Sequence, residues 1–273
     1  MIIDLVWYFN KAAEVYPLYR DGVRAAMEVL EDRGHTVRWH FGLEPEIPED
    51  SDFIINWDNS TSEWIPEMNK LPQKKGLILT TDLGMDIESL RNYDVIFAEA
   101  QPVVDKIRPH GIYALKGFGT DTEFFCPDDT KKIWKAFYPA TFSPWKRQNE
   151  FATIYKDKGL LLGTVQPDGW DILKKSLYLG TKVMLGYFDV KYIRDLYRAS
   201  ESVHITGWEG SGRTVLEALS MNIPVKVAMD NHKCQSYLLE ARAHGLDSRK
   251  FVQECYSEEV YADIIMKGIE NVS

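Results

Sequence analysis

Two glutamates eight residues apart are the side chains whose spacing and surroundings best suit chemistry in this sequence. A small glycine-containing loop follows the first, and an apolar helical run holds the second. The residues of this corner are Glu209, Gly210, Ser211, Gly212, Arg213, Thr214 and Glu217. Glycines let a ligand approach the backbone closely, and the first amides of a helix attract anions. Buried strands are predicted on either side, over 202–206 and 223–228, so we interpret the corner as a ligand-binding site.

Length and charge indicate two units with different partners. A chain of 273 residues with 45% apolar and 27% charged residues is typical of a globular protein with two domains. Residues 1–128 carry 12 basic and 23 acidic side chains, whereas residues 129–273 carry 20 and 18. The acidic first half disfavours nucleic acid as a partner. The second half is better suited to holding a phosphate.

The cysteine and histidine pattern predicts neither a disulfide framework nor a metal site. Cys126, Cys234 and Cys255 are odd in number and widely spaced, and no Cys-x-x-Cys or His-x-x-x-His pair occurs. A reducing, cytoplasmic setting is therefore expected. The first apolar run is too short for a signal peptide, and no window has the length needed to span a bilayer.

Strands alternate with helices in the first half, which predicts a mainly parallel sheet covered on both faces. Strands are expected over 2–8, 36–41, 52–57, 76–81, 94–98 and 112–115. Ligands bind beyond the carboxyl ends of such strands, a rule that selects Asn10, Asn56, Asp58, Asp82 and Glu99. Asn10, Asp58 and Asp82 are the acceptor-side candidates. Each also fits a turn or helix cap.

The second half repeats this alternation after a candidate linker at 125–129. Strands are expected over 134–142, 159–163 and 182–186, before the two that flank the glutamate corner. A helix is expected to open at Trp145 and to run to Lys156. The chain is expected to end with helices over 235–245 and after Ser257. Two α/β units with a cleft between them follow from this order.

Three segments resemble, in order and spacing, motifs of the retaining nucleotide-sugar glycosyltransferases of group 1, the sucrose-synthase-like family. Residues 209–225 are similar to the family's motif of two glutamates separated by seven residues, and the closing Pro224-Val225 agrees with it as well. Residues 119–127 resemble its Gly-Val-Asp-Thr-x-x-Phe-x-Pro segment. Residues 186–198 resemble its Gly-x-x-x-x-x-x-Leu-x-x-x-Tyr stretch. Together these matches span most of 112–230.

The resemblance implies the GT-B fold, an α/β fold of two Rossmann-like domains facing a cleft. The acceptor-side domain would span residues 1–126 and the nucleotide-sugar-binding domain residues 127–273. In the family the first glutamate, here Glu209, contacts the donor sugar with a catalytic or stabilising role. The second, here Glu217, bonds the ribose hydroxyls. Backbone near Tyr187 and Phe188 is expected to contact the base.

In the family an arginine and a lysine bind the diphosphate, and this sequence matches only the lysine. Lys146 matches its lysine and is the second expected catalytic residue, because its charge would stabilise the departing diphosphate. Thr141 replaces the arginine, so Arg147 or Arg213 is expected to supply the missing charge. Cations at a helix start are unfavourable without an anion, which favours a phosphate site over a solvated helix start. Thr81 stands where many relatives have a histidine.

These features predict a retaining, metal-independent glycosyltransferase that moves a sugar from a UDP- or GDP-linked donor to an acceptor hydroxyl. No cofactor is expected besides this co-substrate. A soluble acceptor is expected, whether a saccharide, small molecule, protein or modified nucleobase, with no integral membrane association. Three alternatives stay open. They are a transferase for hydroxymethylated DNA bases, a sugar-nucleotide epimerase or phosphorylase, and a nucleotide-sugar-binding module without turnover.

Overall fold

The chain divides into two compact α/β units. The computed structural model describes residues 1–7, 12–18, 20–42, 46–57, 68, 70–80, 86–208 and 212–272. Unit 1 comprises Met1–Asp121 with Cys255–Ser273, and unit 2 comprises Thr122–Glu254. Each unit contains a parallel sheet interleaved with helices, so the predicted α/β class is confirmed.

The strands pair in parallel throughout both described sheets. Those of unit 1 are β1 (Ile2–Trp7), β2 (Thr36–Phe41), β3 (Phe53–Trp57), β4 (Lys74–Leu79), β5 (Val95–Ala98) and β6 (Ala114–Lys116), in the order β2-β1-β3-β4-β5-β6. Those of unit 2 are β7 (Ala136–Pro139), β8 (Gly159–Gly163), β9 (Lys182–Leu185), β10 (Val203–Ile205) and β11 (Val225–Val227), in the order β11-β10-β7-β8-β9. Strand β3 is buried along its whole length and β8 over its first four residues, because helices cover both faces of such a sheet.

Helices connect these strands. The described ones are α1 (Ala12–Val15), α2 (Gly22–Asp32), α3 (Ile87–Leu90), α4 (Gln101–Ile107), α5 (Gln148–Tyr155), α6 (Trp170–Tyr178), α7 (Val190–Arg198), α8 (Arg213–Ser220), α9 (His232–His244), α10 (Ser248–Cys255) and α11 (Glu258–Val272). The sequence interpretation did not include α6 or α10. None of the described helices is long and apolar enough to cross a membrane.

Local sequence explains the bounds of α2. The carboxylate of Asp21 accepts hydrogen bonds from the amides of Val23 and Arg24, both at 3.0 Å, which satisfies two donors that a helix start leaves without partners. Gly34 follows the helix with φ +87°, a left-handed conformation that favours glycine. The apolar face of α2 is fully buried, as Met27 and Leu30 show.

The C-terminal helix α11 belongs to unit 1, whereas the sequence interpretation assigned everything after residue 126 to the second domain. It packs on α2 and β5, and its Ile265 and Ile269 are fully buried. A side chain at Gly268 would approach the ring of Phe97 to 2.5 Å. Burial of this apolar face brings the end of the chain back to the first sheet.

A buried carboxylate ties the edge strand β2 to β1. Asp4 is fully buried and accepts from Nε and Nη2 of Arg38 at 2.8 and 2.7 Å, with Nε2 of His40 at 2.6 Å. Burial opposes the charge of Asp4, but hydrogen bonds from Arg38, Ser51 and His40 outweigh it and lower its pKa. Arg38 also bonds the exposed Asp50 at 2.9 Å.

We expect Asp4→Asn to lower the free energy of unfolding at neutral pH by about 1–3 kcal/mol, because an amide replaces the buried carboxylate that accepts the charge-assisted hydrogen bonds of Arg38. The folded-state pKa of Asp4 lies below its unfolded value. Its contribution is therefore present above the unfolded pKa and is lost as the pH falls through the folded one, so the two proteins converge in acid. Urea unfolding across the acid range measures this.

The matched control is Asp50→Asn, which removes an exposed partner of the same arginine. It is expected to change the free energy of unfolding by less than ~1 kcal/mol. Equal effects of the two substitutions would contradict the assignment.

Candidate functional site

The strand order of unit 2 defines where a ligand site is expected. The chain proceeds from β7 to β8 and β9 on one side, and then to β10 and β11 on the other side of β7. The carboxyl ends of β7 and β10 therefore flank a topological switch point, where open α/β sheets form their ligand crevice. The loop after β7 carries Lys146, and the loop after β10 leads into the glutamate corner.

Hydrogen bonds join these two loops directly. The hydroxyl of Thr206 donates to the carbonyl oxygen of Arg147 at 2.9 Å, with that of Lys146 at 3.2 Å as a second acceptor. The amide of Trp208 donates to the carbonyl of Trp145 at 2.9 Å. The structure thus brings the predicted phosphate lysine and the segment just before Glu209 to one place.

Gly207 allows this close approach. A Cβ at this position would lie 2.2 Å from the carbonyl oxygen of Trp145 and 2.4 Å from the carbonyl carbon of Lys146. Both are backbone atoms, which cannot rotate away. The two loops can therefore meet only if residue 207 has no side chain.

A third loop, between β11 and α9, encloses the same segment. The side-chain amide of Asn231 donates to the carbonyl of Gly207 at 3.0 Å, and Asn231 is almost fully buried. The ammonium of Lys233, itself only 5% exposed, lies 5.7 Å from the centre of the Trp208 ring. Such a cation–π contact is strengthened by burial.

Arg147 lies at a break in the helix that the sequence predicts as continuous. The predicted continuous helix is interrupted: Pro144–Lys146 forms a 3₁₀ helix, and Arg147 has φ 54° before α5 begins. The guanidinium donates to Asp230 at 2.6 Å. This hydrogen bond raises the pKa of Arg147 and lowers that of Asp230. The arginine charge is thus balanced within the protein, although its remaining N–H groups are further donors.

The backbone of Lys146 is held from both sides. Its carbonyl oxygen accepts from the hydroxyl of Tyr138 at 3.3 Å and from that of Thr206 at 3.2 Å. Its side chain is half-buried. The Lys146 ammonium belongs to a residue whose backbone is fixed beside the switch point, and such a cation is suited to bind an anionic ligand group.

Glu217 is a buried carboxylate on α8. It is 5% exposed and accepts from the hydroxyl of Tyr197 at 2.8 Å through Oε2. Nε of Arg213, one helical turn earlier, lies 3.4 Å from Oε1. Gly212 caps the helix start without a side-chain bond, and Thr214 in the first turn is buried. The helix thus presents its first amides at the switch point, as an anion site requires.

Tyr187 and Phe188 lie between β9 and α7. Tyr187 is 54% exposed, and the ring of Phe188 packs against Tyr192 with centroids 5.8 Å apart. Asp189 caps α7 by accepting from the amide of Lys191 at 2.7 Å. An exposed aromatic residue beside a carboxyl strand end is compatible with the predicted base contact.

Several predicted site residues lie outside the described residues. These are Glu209, Gly210, Ser211, Asn10, Asp58 and Asp82. Of the other polar residues at strand ends in unit 1, Asn56 has a packing role. Its amide donates to the hydroxyl of Tyr93 at 3.0 Å, and burial raises the pKa of that tyrosine to about 12.

The sequence interpretation did not include Asp230 and Asn231 of the third loop or Lys233 in the first turn of α9. The rule that polar residues after parallel strands line ligand sites selects the loop after β11 as well as the loops of the first half. A search of the described ranges finds no group of three or more histidine, cysteine, aspartate or glutamate side chains arranged to hold a metal ion.

Thr206→Val tests the junction of the two loops. We expect it to lower the free energy of unfolding by about 1–2 kcal/mol, because the hydroxyl is replaced by a methyl of similar size and the part-buried carbonyl of Arg147 loses this donor. Chemical denaturation measures the change. Thr153→Val is the control, since the Thr153 hydroxyl bonds only the exposed carbonyl of Asn149 within α5. A Thr206 effect no larger than that of Thr153 would contradict the role of this contact.

Comparison with known proteins identifies the fold. No family model and no curated protein sequence matches the chain. The sucrose-phosphate synthase of Thermosynechococcus elongatus is 13% identical, with 99% of this chain and 98% of that one covered and a TM-score of 0.68. AviGT4, a glycosyltransferase involved in avilamycin A biosynthesis, is 12% identical over 100% and 98%, with a TM-score of 0.67. An alpha-glucosyltransferase in complex with UDP and a 13-mer DNA containing a HMU base is 12% identical over 100% and 99%, with a TM-score of 0.59. The chain therefore has the two-domain GT-B fold of these glycosyltransferases.

Proposed function

We propose that this protein is a retaining glycosyltransferase that takes a sugar from a nucleoside diphosphate sugar bound on unit 2. One observation carries the proposal: the loop that bears Lys146 is bonded to the loop that leads into the glutamate corner, at the switch point of the sheet. This juxtaposition supports a donor site that combines the cation of Lys146, the start of α8 and the buried carboxylate of Glu217. The likeness to an alpha-glucosyltransferase in complex with UDP supports a uridine nucleotide; a GDP-linked donor is the other candidate.

The parts of the donor divide among these groups by charge. The diphosphate binds between Lys146 and the first amides of α8, where positive charge and backbone donors coincide. The ribose hydroxyls donate to Glu217, which is the buried acceptor on that helix. The base lies near Tyr187 and Phe188. Glu209 fixes the sugar and faces its oxocarbenium-like centre.

Departure of the diphosphate is the step that the protein must assist. Negative charge grows on the leaving oxygen as the sugar bond breaks, and a preorganised cation stabilises that charge. Lys146 has this role, and Arg147 or Arg213 adds to it. In this proposal no metal ion takes part, because the lysine and the helix amides supply the positive charge.

Unit 1 presents the acceptor hydroxyl, with Asn10, Asp58 and Asp82 as the candidate contacts. Its excess of acidic over basic residues favours an uncharged or cationic soluble acceptor over a polyanion. The three cysteines are free, which fits the reducing cytoplasm.

A second candidate is a transferase that modifies DNA bases. The likeness to an alpha-glucosyltransferase in complex with DNA favours it, whereas the acidity of the first half opposes it. Duplex DNA binding that weakens steeply with salt would support this candidate over a soluble acceptor.

Lys146→Ala and Glu217→Gln are each expected to weaken UDP binding roughly tenfold or more, because each removes a charge-assisted hydrogen bond of about 1.5–3 kcal/mol. Titration calorimetry with UDP measures both. Lys174→Ala is the control, since the Lys174 side chain is 73% exposed on α6 and is expected to have no effect. Unchanged affinity in both site variants would refute the donor site.

Turnover of the sugar nucleotide is expected to continue at its untreated rate in EDTA, because protein groups replace the divalent ion that assists leaving groups elsewhere. Release of UDP from UDP-sugars with pooled acceptors measures this. Inhibition by EDTA that magnesium reverses would contradict metal independence.

A further inference from the structure

A tyrosine from a neighbouring helix holds the carboxylate of Glu217. The hydroxyl of Tyr197, on α7, donates to Oε2 of Glu217 at 2.8 Å, across 20 residues of sequence. Tyr197 is fully buried and Glu217 is 5% exposed. A carboxylate in such surroundings is stable as a charged group only when it accepts hydrogen bonds.

The ring of Tyr197 has little freedom to move. It meets Phe137 of β7 edge-on, with centroids 5.1 Å apart and an interplanar angle of 84°. It meets Phe125 in the same way at 6.4 Å and 90°. Aromatic pairs prefer this geometry, so the two contacts hold the Tyr197 hydroxyl in one position beside Glu217.

The two oxygens of Glu217 are held unequally. Oε2 has the short bond from the buried tyrosine, whereas Oε1 has Nε of Arg213 at 3.4 Å. The Arg213 side chain is 32% exposed. An ionised carboxylate has acceptor sites for about four hydrogen bonds, so a carboxylate held through Oε2 can also accept from a ligand.

We propose that Tyr197 is a positioning residue for nucleotide recognition: by bonding Oε2 it fixes the Glu217 carboxylate and directs Oε1 to the ribose hydroxyls of the donor. This inference rests on the proposed function. Tyr197 does not touch the ligand and acts through Glu217. The contact thereby links α7, which follows the expected base-binding turn, to the ribose site on α8.

The test is a double-mutant cycle read by calorimetry with UDP. Tyr197→Phe keeps the ring and removes only the hydroxyl, and we expect it to weaken UDP binding roughly tenfold. In the Glu217→Gln background the same substitution is expected to have no further effect, because Tyr197 acts only through that carboxylate. With 2′,3′-dideoxy-UDP, which lacks the ribose donors, Tyr197→Phe is expected to leave the affinity unchanged.

Two further variants separate positioning from folding. Tyr155→Phe is the matched control, because it removes a tyrosine hydroxyl in the same unit that lies 3.0 Å from Nδ1 of His204; UDP affinity is expected to stay unchanged. Glu217→Asp keeps the charge but withdraws the carboxylate by one methylene. It is expected to weaken UDP binding as much as Glu217→Gln does, whether or not Tyr197→Phe folds well.

The outcomes distinguish this inference from the function on which it rests. If Glu217→Gln weakens UDP binding while Tyr197→Phe leaves it unchanged, the positioning role is refuted and the donor site stands. If Tyr197→Phe weakens UDP and dideoxy-UDP equally, its role is structural only, which also refutes the inference. Full affinity in Glu217→Asp would show that the position of the carboxylate is unimportant. If neither Glu217→Gln nor Lys146→Ala alters UDP binding, the proposed function itself fails.

Discussion

Gly207 has no space for a side chain, and the site of unit 2 depends on that constraint. The backbone of Trp145 and Lys146 lies within 2.5 Å of where a Cβ would be. The loop after β7 can therefore rest directly on the loop after β10, where Thr206 and Trp208 bond it. Asn231 closes the third side by bonding the Gly207 carbonyl. The loop that carries Lys146 is thus fixed against the segment that leads toward α8.

The buried charge of Glu217 is tolerated because Tyr197 and Arg213 are its partners. The half-buried Arg147 is paired with the exposed Asp230. Such pairing offsets the loss of hydration, which for an isolated ion would cost several kcal/mol. The carboxylate and the guanidinium are thus ordered before a ligand arrives, and preorganised groups bind and stabilise developing charge without rearrangement at that moment. This is the physical basis of the proposed transfer chemistry.

Much of the fold was predictable, because apolar runs in a parallel sheet are distinctive and the strands fall within a few residues of their predicted bounds. The glutamate corner was predicted as a ligand site from residue types and spacing, whereas the role of Lys146 was predicted from the resemblance to the glycosyltransferase family. What escaped prediction depends on partners distant in sequence. The sequence pattern of α11 predicts a buried apolar face, but it does not indicate which sheet that face covers. Asn231 and Lys233 matter because β11 lies beside β10, and Tyr197 matters because its hydroxyl on α7 bonds Glu217 on α8. Local periodicity encodes none of these contacts.

The central claim is that a nucleoside diphosphate occupies the switch point of unit 2. A crystal structure of the protein with UDP tests it most directly. In the proposed donor site, the diphosphate is expected within hydrogen-bond distance of Lys146 and of the first amides of α8, and a ribose hydroxyl is expected to bond Oε1 of Glu217. UDP bound elsewhere, with Glu217 and Lys146 making no contact to it, would contradict this site.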